Sequence, residues 1–198
     1  MNFSGGWDEE RDMDDELLRT AADAATGDPR AAASLVRQTQ SDVWRLCAAL
    51  GDRDSADDLT QETYLRAFGA LHRFEGRSSV RTWLLSIARR VCADAIRSRR
   101  RRRLTLVRDP ADLENQAAPG TADPGAEHVA VADLLARLDG DRREAFVLTQ
   151  QLGLPYAEAA EIAGCPVGTI RSRVARARGD LVEALADDGL RRGDTRRN

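Results

Sequence analysis

The sequence predicts an all-α protein of two small helical domains, joined by a flexible acidic linker. The helix-forming residues Ala, Arg and Leu are abundant, aromatic residues make up only 5% and strand-forming runs are scarce. Apolar residues recur at helical spacing on both sides of a central segment. That segment, "DPADLENQAAPGTADPGAE" (109–127), is acidic and rich in Pro and Gly. It cannot bury enough apolar surface to fold, so it separates two domains.

Composition also excludes several classes of protein. No apolar run approaches the ~18 residues needed to cross a membrane, and the acidic start "MNFSGGWDEERDMDDE" has none of the features of a signal peptide. Cys47, Cys92 and Cys165 are far apart with no C-x-x-C pair, which favours buried structural thiols over a metal or redox site. The chain has only two histidines, which argues against a His-rich metal site, and no cofactor is expected.

Charge and helical periodicity divide the chain into five segments. They are a disordered acidic extension (1–14), an N-terminal helical bundle (15–103), the linker (104–127), a C-terminal four-helix domain (128–187) and a frayed tail (188–198).

The N-terminal domain contains three helical patterns, at 31–50, 55–71 and 78–99. Ser55 and Asp58 are expected to form a capping box at the start of the second. The third places one apolar stripe along its length, consisting of Val80, Trp83, Leu84, Ile87, Val91 and Ala95.

The C-terminal domain contains four helical patterns, at 130–138, 141–153, 155–164 and 166–185. Ala160, Gly164 and Ile170 have the small, Gly, apolar spacing that lets two helices pack through a tight turn, as in a helix-turn-helix.

The last helix carries the stretch "AGCPVGTIRSRVARAR" (163–178), which concentrates arginine in a chain of formal net charge −3. At ~100° per residue its apolar stripe consists of Val167, Ile170, Val174, Ala177, Leu181 and Leu185. The opposite face consists of Gly168, Thr169, Ser172 and Arg176. Arg173 lies on one flank of that face, and Arg171 and Arg178 lie on the other. Small residues, hydroxyls and an arginine suit a helix that enters the major groove of DNA.

Two separate stretches resemble one family. "GLPYAEAAEIAGCPVGTIRSRVARAR" resembles the C-terminal DNA-binding domain of extracytoplasmic-function (ECF) sigma factors, within the sigma-70 superfamily. "SADDLTQETYLRAFGAL" followed by "FEGRSSVRTWLLSIARRVCADAIRSR" resembles the N-terminal domain of the same family. The resemblance implies an alternative sigma factor, which is not itself an enzyme. It would bind RNA polymerase core, direct promoter-specific initiation, recognise the −10 and −35 elements and help to melt the DNA.

The resemblance assigns residues of 55–71 to docking on the clamp helices of the largest polymerase subunit. They are Asp57, Asp58, Gln61 and Glu62. Since Asp58, Glu62 and Arg66 recur every four residues, a solvated ladder of ion pairs is the alternative interpretation.

The resemblance assigns recognition and melting of the −10 element to the loop "FEGRSSV" and the following helix. The implied residues are Phe74, Arg77, Ser78, Ser79, Arg81, Thr82, Ser86, Arg89, Arg90 and Arg97. The helix is expected to direct Thr82, Ser86, Arg89, Arg90 and Arg97 outward, where arginines would neutralise phosphates. Arg90 stands where the family usually has Asn. We expect Trp83 to belong to the core and the run 99–103 to contact phosphates.

The resemblance assigns the −35 element to the last helix. The implied residues are Pro166, Gly168, Thr169, Arg171, Ser172, Arg173 and Arg176. The implied partners are promoter DNA, the clamp helices, the flap of the second-largest polymerase subunit and an anti-sigma factor. No membrane insertion and no small-molecule substrate are expected, and the implied location is the cytoplasm, at the nucleoid.

The sequence is less consistent with two other classes of protein. An autonomous helix-turn-helix regulator would need a dimer interface for palindromic half-sites, and no heptad repeat suggests one. An enzyme acting on DNA, such as a serine recombinase, would need an α/β domain, and no strands or Gly-rich loops are predicted.

Overall fold

The computed structural model describes residues 5–51, 53–106 and 133–194, and every regular element in these ranges is helical. The chain forms two compact units, Met1–Glu114 and Asn115–Asn198. The prediction of two all-α domains is therefore confirmed. The predicted acidic linker lies outside the described residues from 107 onward.

The N-terminal unit is a bundle of four helices with two short 3₁₀ turns, Arg53–Ser55 and Leu71–Arg73. The helices are α1 (Gly5–Ala25), α2 (Pro29–Leu50), α3 (Ala56–Ala70) and α4 (Val80–Leu106). Each of α1, α2 and α3 packs against α4. The largest fully buried side chains of this unit are Leu35, Val43, Leu46, Leu84 and Leu85. All three predicted helical patterns are present, and α4 continues to Leu106, beyond the predicted domain boundary at 103.

Helix α1 corrects the prediction that residues 1–14 form a disordered extension, because the helix begins at Gly5. Its second half docks on α2 through Leu17, Ala21 and Ala24, which are buried. The acidic stretch is therefore the first part of a docked helix. The signal was weak because two of the three buried positions are alanines.

The capping box predicted at the start of α3 is absent. Ser55 precedes the helix but its side chain makes no capping hydrogen bond. Its Oγ instead accepts a hydrogen bond from Arg99 Nη2 at 2.7 Å, which ties the start of α3 to the second half of α4. A partner 44 residues away thus replaces the local cap.

The C-terminal unit contains a short helix at 133–136, α5 (Gly140–Phe146), a π-helical turn (Val147–Gln151), α6 (Tyr156–Ala163) and α7 (Val167–Asp194). Helices α5 and α6 pack on α7. Its largest fully buried side chains are Val147, Leu148, Ile170 and Val174.

Helix α7 differs from the prediction at its C-terminal end. It continues to Asp194, whereas a frayed tail was expected from 188. Leu185, placed in the apolar stripe by periodicity, is 55% exposed. The packed face ends sooner: Ala177 is buried and Leu181 half-buried, so the later turns lack the cover that α5 and α6 give to the first ones.

One buried hydrogen bond of the N-terminal unit gives a prediction about pH. Tyr64 Oη and Thr39 Oγ1 lie 2.7 Å apart, and burial raises the pKa of Tyr64 from 10 to about 12. Because the folded state holds the phenol proton more tightly, this group contributes stability at and below pH 10, which is lost as the pH rises towards 12. In an absorbance titration of the folded protein, we expect one of the two tyrosines to ionise near pH 12. Tyr64→Phe should remove that late step, and a folded wild type that lacks the step would contradict the prediction.

Candidate nucleic-acid and polymerase interface

The acidic residues assigned to polymerase docking lie at the start of α3. Asp57, Asp58 and Gln61 are exposed, and Glu62 is half-buried. Asp57 Oδ1 accepts a hydrogen bond from Trp44 Nε1 of α2 at 2.7 Å. Within the described part of the chain, Asp58 makes no hydrogen bond or ion pair. The helix therefore presents a negative face in which Asp58 is available to a partner.

Arg66 joins this face to α4. Its Nε lies 2.7 Å from Glu62 Oε1, and its Nη1 lies 2.8 Å from Asp94 Oδ2. Arg97 pairs with the other oxygen of Asp94. These hydrogen bonds to Arg66 and Arg97 lower the pKa of Asp94, and those to Asp94 and Glu62 raise the pKa of Arg66. The alternative of an ion-pair ladder holds for Glu62 and Arg66 but does not extend to Asp58.

The loop before α4 is closed by an aromatic contact and a helix cap. The rings of Phe74 and Trp83 are tilted at 46° with centroids 5.0 Å apart, and both side chains are half-buried. The expectation that Trp83 belongs to the core therefore holds only in part. Ser79 Oγ accepts a hydrogen bond from the Thr82 backbone N–H at 3.1 Å, which caps α4. Arg77 in the loop pairs with nearby Glu75.

Thr82 corrects the predicted outward face of α4, because its side chain is fully buried. It lies beneath the loop, where its Oγ1 is 3.0 Å from Ser79 Oγ. A helical wheel assumes one buried side, but α4 is in contact with α1, α2 and α3. Arg81 also forms an ion pair within the bundle: its Nη2 lies 2.6 Å from Oδ2 of Asp42 on α2.

The remaining residues assigned to the −10 element lie at the surface. Ser78, Ser86 and Arg89 are half-buried, whereas Arg90 and Arg97 are exposed. Unlike Arg97, Arg90 forms no ion pair or hydrogen bond with any residue that the structure describes. The run that follows is basic and largely exposed: Arg100, Arg101 and Arg102 are exposed and Arg99 is half-buried. The side chain of Arg103 lies outside the described residues.

The turn between α6 and α7 has the geometry of a helix-turn-helix. Gly164 ends α6 in the left-handed conformation, with φ of 64°, which glycine adopts at little cost. The backbone N–H of Cys165 donates to the Ala160 carbonyl at 3.1 Å. Ala160 and Ile170 are buried on the two sides of the turn. The helix-turn-helix predicted from this spacing is therefore present.

The first half of α7 presents a small, polar face. Pro166, Gly168, Arg171, Ser172 and Arg176 are exposed, and Thr169 is half-buried. A Cβ added at Gly168 would meet no atom within 4 Å, so the space in front of it is open. Ser172 Oγ bonds back to the Thr169 carbonyl at 2.9 Å.

The arginines of α7 fall into two classes. Arg173 pairs with Asp141 of α5, is 22% exposed and lies 3.6 Å from Cys165 Sγ, so it holds the domain together. Arg178 Nη2 donates to Gln150 Oε1 at 2.7 Å. Arg171 and Arg176 form no such bond within the described ranges. The structure therefore leaves these two guanidinium groups available to a ligand.

The partners contributed by other helices were not predictable from the spacing of residues within each helix. Trp44, Asp42 and Asp141 hold the assigned residues Asp57, Arg81 and Arg173 in place, and each lies on a different element from its partner. The one available signal was Trp44, a large aromatic residue next to Val43 in the amphipathic pattern of 31–50.

The described residues contain no cluster of His, Cys, Asp and Glu that could hold a metal ion. Cys47 and Cys92 are buried and Cys165 is half-buried, and all three are free thiols. Among the residues described, no helix combines the length and the apolar character required to cross a membrane.

Comparison with known proteins gives two family matches: Sigma-70 region 2 over residues 35–102 and Sigma-70 region 4 over residues 128–181. The ECF RNA polymerase sigma factor SigC of Mycobacterium tuberculosis is 52% identical over 180 residues, covering 89% of this chain and 95% of SigC.

Solved structures agree. CnrH, known from Cupriavidus metallidurans, in complex with the cytosolic domain of CnrY is similar at 31% identity, with a TM-score of 0.64 over 85% of this chain and 96% of CnrH. RpoE of Bartonella quintana, in complex with the anti-sigma factor NepR, has 29% identity and a TM-score of 0.59 over 89% of this chain and 98% of RpoE. The chain therefore belongs to the extracytoplasmic-function family of RNA polymerase sigma factors, alternative subunits that direct transcription initiation with RNA polymerase.

Proposed function

We propose that the two units divide promoter recognition between them. The N-terminal unit docks on the polymerase through the acidic face of α3 and engages the −10 element through the loop and α4. The C-terminal unit recognises the −35 element through α7. The observation that carries the proposal is the division of arginines on α7: Arg173 and Arg178 are held by the domain, whereas Arg171 and Arg176 project with Ser172 from its surface.

The face of α7 supports recognition of duplex DNA in the major groove. Gly168 and Ser172 allow the first turns of the helix to approach base edges closely. Arg176 lies one turn beyond Ser172, and its guanidinium can donate two hydrogen bonds to O6 and N7 of a guanine. Arg171 lies to the side of this row, where a phosphate contact is the expected role.

The loop and α4 support binding of a melted −10 strand. Exposed Arg90 and the basic run after it offer cations to a single-stranded backbone, and the half-buried Phe74 and Trp83 offer aromatic surface to unstacked bases. Thr82 takes no part in this surface because it is buried. Arg90, which replaces the usual Asn of the family, cannot offer the paired donor and acceptor of an amide, so we propose that it contacts phosphate or stacks.

The negative face of α3 supports docking on a basic surface of the polymerase, the clamp helices, while the C-terminal unit would meet the flap of the second-largest subunit. The structures of CnrH and RpoE contain CnrY and the anti-sigma factor NepR, respectively. We therefore propose an anti-sigma factor as a further partner of this chain. The catalytic step of RNA synthesis belongs to the polymerase, so the chain is not an enzyme. It would act in the cytoplasm, at the nucleoid, where promoter DNA is found.

Run-off transcription tests the proposal. Polymerase core from a related bacterium is incubated with or without the chain on pooled promoter fragments, and discrete new start sites are expected only with the chain. Asp58→Arg should abolish them, because it reverses the charge at the proposed docking surface. The fold should be unaffected, because this side chain is exposed and has no partner within the described residues. The matched control is Asp23→Arg: Asp23 is an exposed residue of α1, and the variant makes the same charge change and should initiate normally.

The opposite result would point to a different class of protein. If no start sites appear, while the free chain binds particular duplexes tightly and with strong salt dependence, the chain is an autonomous helix-turn-helix regulator and the proposal is wrong.

A further inference from the structure

We infer that two apolar side chains, Trp44 of α2 and Leu65 of α3, contact the polymerase on either side of the acidic residues Asp57 and Asp58. This inference rests on the proposed docking of α3 on the polymerase. It adds an apolar component that the charged residues alone do not supply, and it extends the surface from α3 to α2.

Both side chains are exposed although their helices are amphipathic. Leu65 is 65% exposed and Trp44 is 37% exposed. On the same helices Leu35, Val43, Leu46 and Leu59 are buried. A single exposed leucine needs no explanation, so the argument depends on where these two lie.

Their positions bracket the charged residues. Leu65 follows Gln61 by four residues and Asp58 by seven, so the three share one face of α3. At 1.5 Å per residue, Leu65 lies ~10 Å from Asp58 along the helix. At the other end, Trp44 Nε1 is 2.7 Å from Asp57 Oδ1. The surface therefore runs from Trp44 across Asp57, Asp58 and Gln61 to Leu65.

The hydrogen bonds within the chain determine which side-chain donors and acceptors remain available to a partner. Asp57 is occupied by Trp44, and Glu62 by Arg66. Within the described residues, Asp58 and Gln61 keep their side-chain bonding groups available. Trp44 and Leu65 would supply the apolar contacts of the interface, and their burial would exclude water from the pairs that Asp58 and Gln61 form with the partner. Because its N–H is satisfied by Asp57, Trp44 is already fixed and loses little side-chain entropy on binding.

The charge of the surface identifies the chemistry of the occupant. A partner opposite Asp58 must supply a basic side chain, and one opposite Trp44 and Leu65 must supply apolar groups. We therefore infer a basic polymerase element that presents apolar side chains at both ends of its contact. Charge pairing should govern the rate of association, whereas the apolar anchors should govern dissociation.

The test measures binding of the full chain to polymerase core by fluorescence anisotropy, with kinetics, at low and high salt. Leu65→Ser and Trp44→Ala should each weaken binding about tenfold or more, mainly through faster dissociation. The loss should persist at high salt, because burial of apolar surface is not screened. Asp58→Arg should slow association, by a factor that shrinks as salt rises.

Leu18→Ser on α1 is the matched control, since Leu18 is 43% exposed and lies outside the surface. It should bind like the wild type. Circular dichroism checks that each variant is folded, and Leu65→Ser keeps the test decisive if Trp44→Ala does not fold.

The outcomes separate the inference from the proposal on which it depends. If Asp58→Arg weakens binding but Leu65→Ser or a folded Trp44→Ala does not, the two-anchor inference is overturned and the docking proposal stands. If Asp58→Arg binds the core like the wild type, the docking proposal itself is wrong.

Discussion

Ile170→Ala is expected to destabilise the C-terminal unit by ~2–5 kcal/mol. Ile170 is fully buried in the first turns of α7, immediately after the turn made by Gly164, and its backbone N–H donates to the Pro166 carbonyl. Truncating it removes apolar contact and leaves a cavity beneath the helix that presents Arg176. The orientation of the DNA-binding face should be lost together with the stability.

The two units can be followed separately in the full chain. All three tryptophans lie in the N-terminal unit, so tryptophan fluorescence reports on that unit, whereas far-UV circular dichroism reports on both. In urea unfolding, Ile170→Ala should shift only the circular dichroism transition to lower denaturant. Val182→Ala is the control: Val182 lies on the same helix but is 67% exposed, so a change within ~0.5 kcal/mol is expected. Equal shifts for the two variants would show that α7 is not fixed by its buried face.

Helices were predictable from the sequence where their own residues carry the pattern. Helices α2, α3 and α4 and the four helical segments after 130 have apolar residues at helical spacing, and each is present. Helix α1 was missed because its buried face consists of Leu17 and two alanines beneath a strongly acidic start. Alanine is a weak signal of burial, yet it allows two helices to pack closely.

Periodicity was least reliable for the helix at the centre of the bundle. It predicted an outward Thr82, but α4 meets helices on more than one side, so a polar residue opposite the main stripe is also buried. The hydroxyl is satisfied locally, since Ser79 Oγ lies 3.0 Å away. Nothing in the spacing alone distinguishes a helix packed on one side from one packed on several.

Pairing between elements could not be predicted. The assignment of Arg171, Arg173 and Arg176 to one binding surface follows from the periodicity of α7 alone. That periodicity carries no information about Asp141, which lies 32 residues before its partner Arg173. Arg173 could be a phosphate contact or a packing partner on its spacing alone, and its ion pair with Asp141 makes it a packing partner within the domain. We expect its replacement to act through folding before it acts on DNA.

Arg176→Ala is expected to cost ~1–3 kcal/mol in binding the cognate −35 duplex and to relax the preference at one base pair. The side chain is exposed and forms no ion pair or hydrogen bond within the described residues, so its removal should leave the fold intact. If its guanidinium binds a guanine in the major groove, the loss should disappear on a duplex in which that base pair has been replaced. Arg171→Ala should behave differently, with uniform weakening on every duplex and a salt dependence lower by about one phosphate contact.

The measurement is transcription by polymerase loaded with the chain from a promoter library randomised at the −35 element, repeated at two salt concentrations. Arg178→Ala is the control of equal charge, because Gln150 holds that arginine within the domain. It should keep the sequence preference of the wild type. A preference that shifts at one position for Arg176→Ala alone would identify Arg176 as the residue that recognises the base. Uniform weakening by Arg176→Ala across the library would instead make it a phosphate contact. Base recognition would then have to come from Thr169, Ser172 or the deformability of the DNA, because the described residues place no other unpaired arginine at the centre of this face.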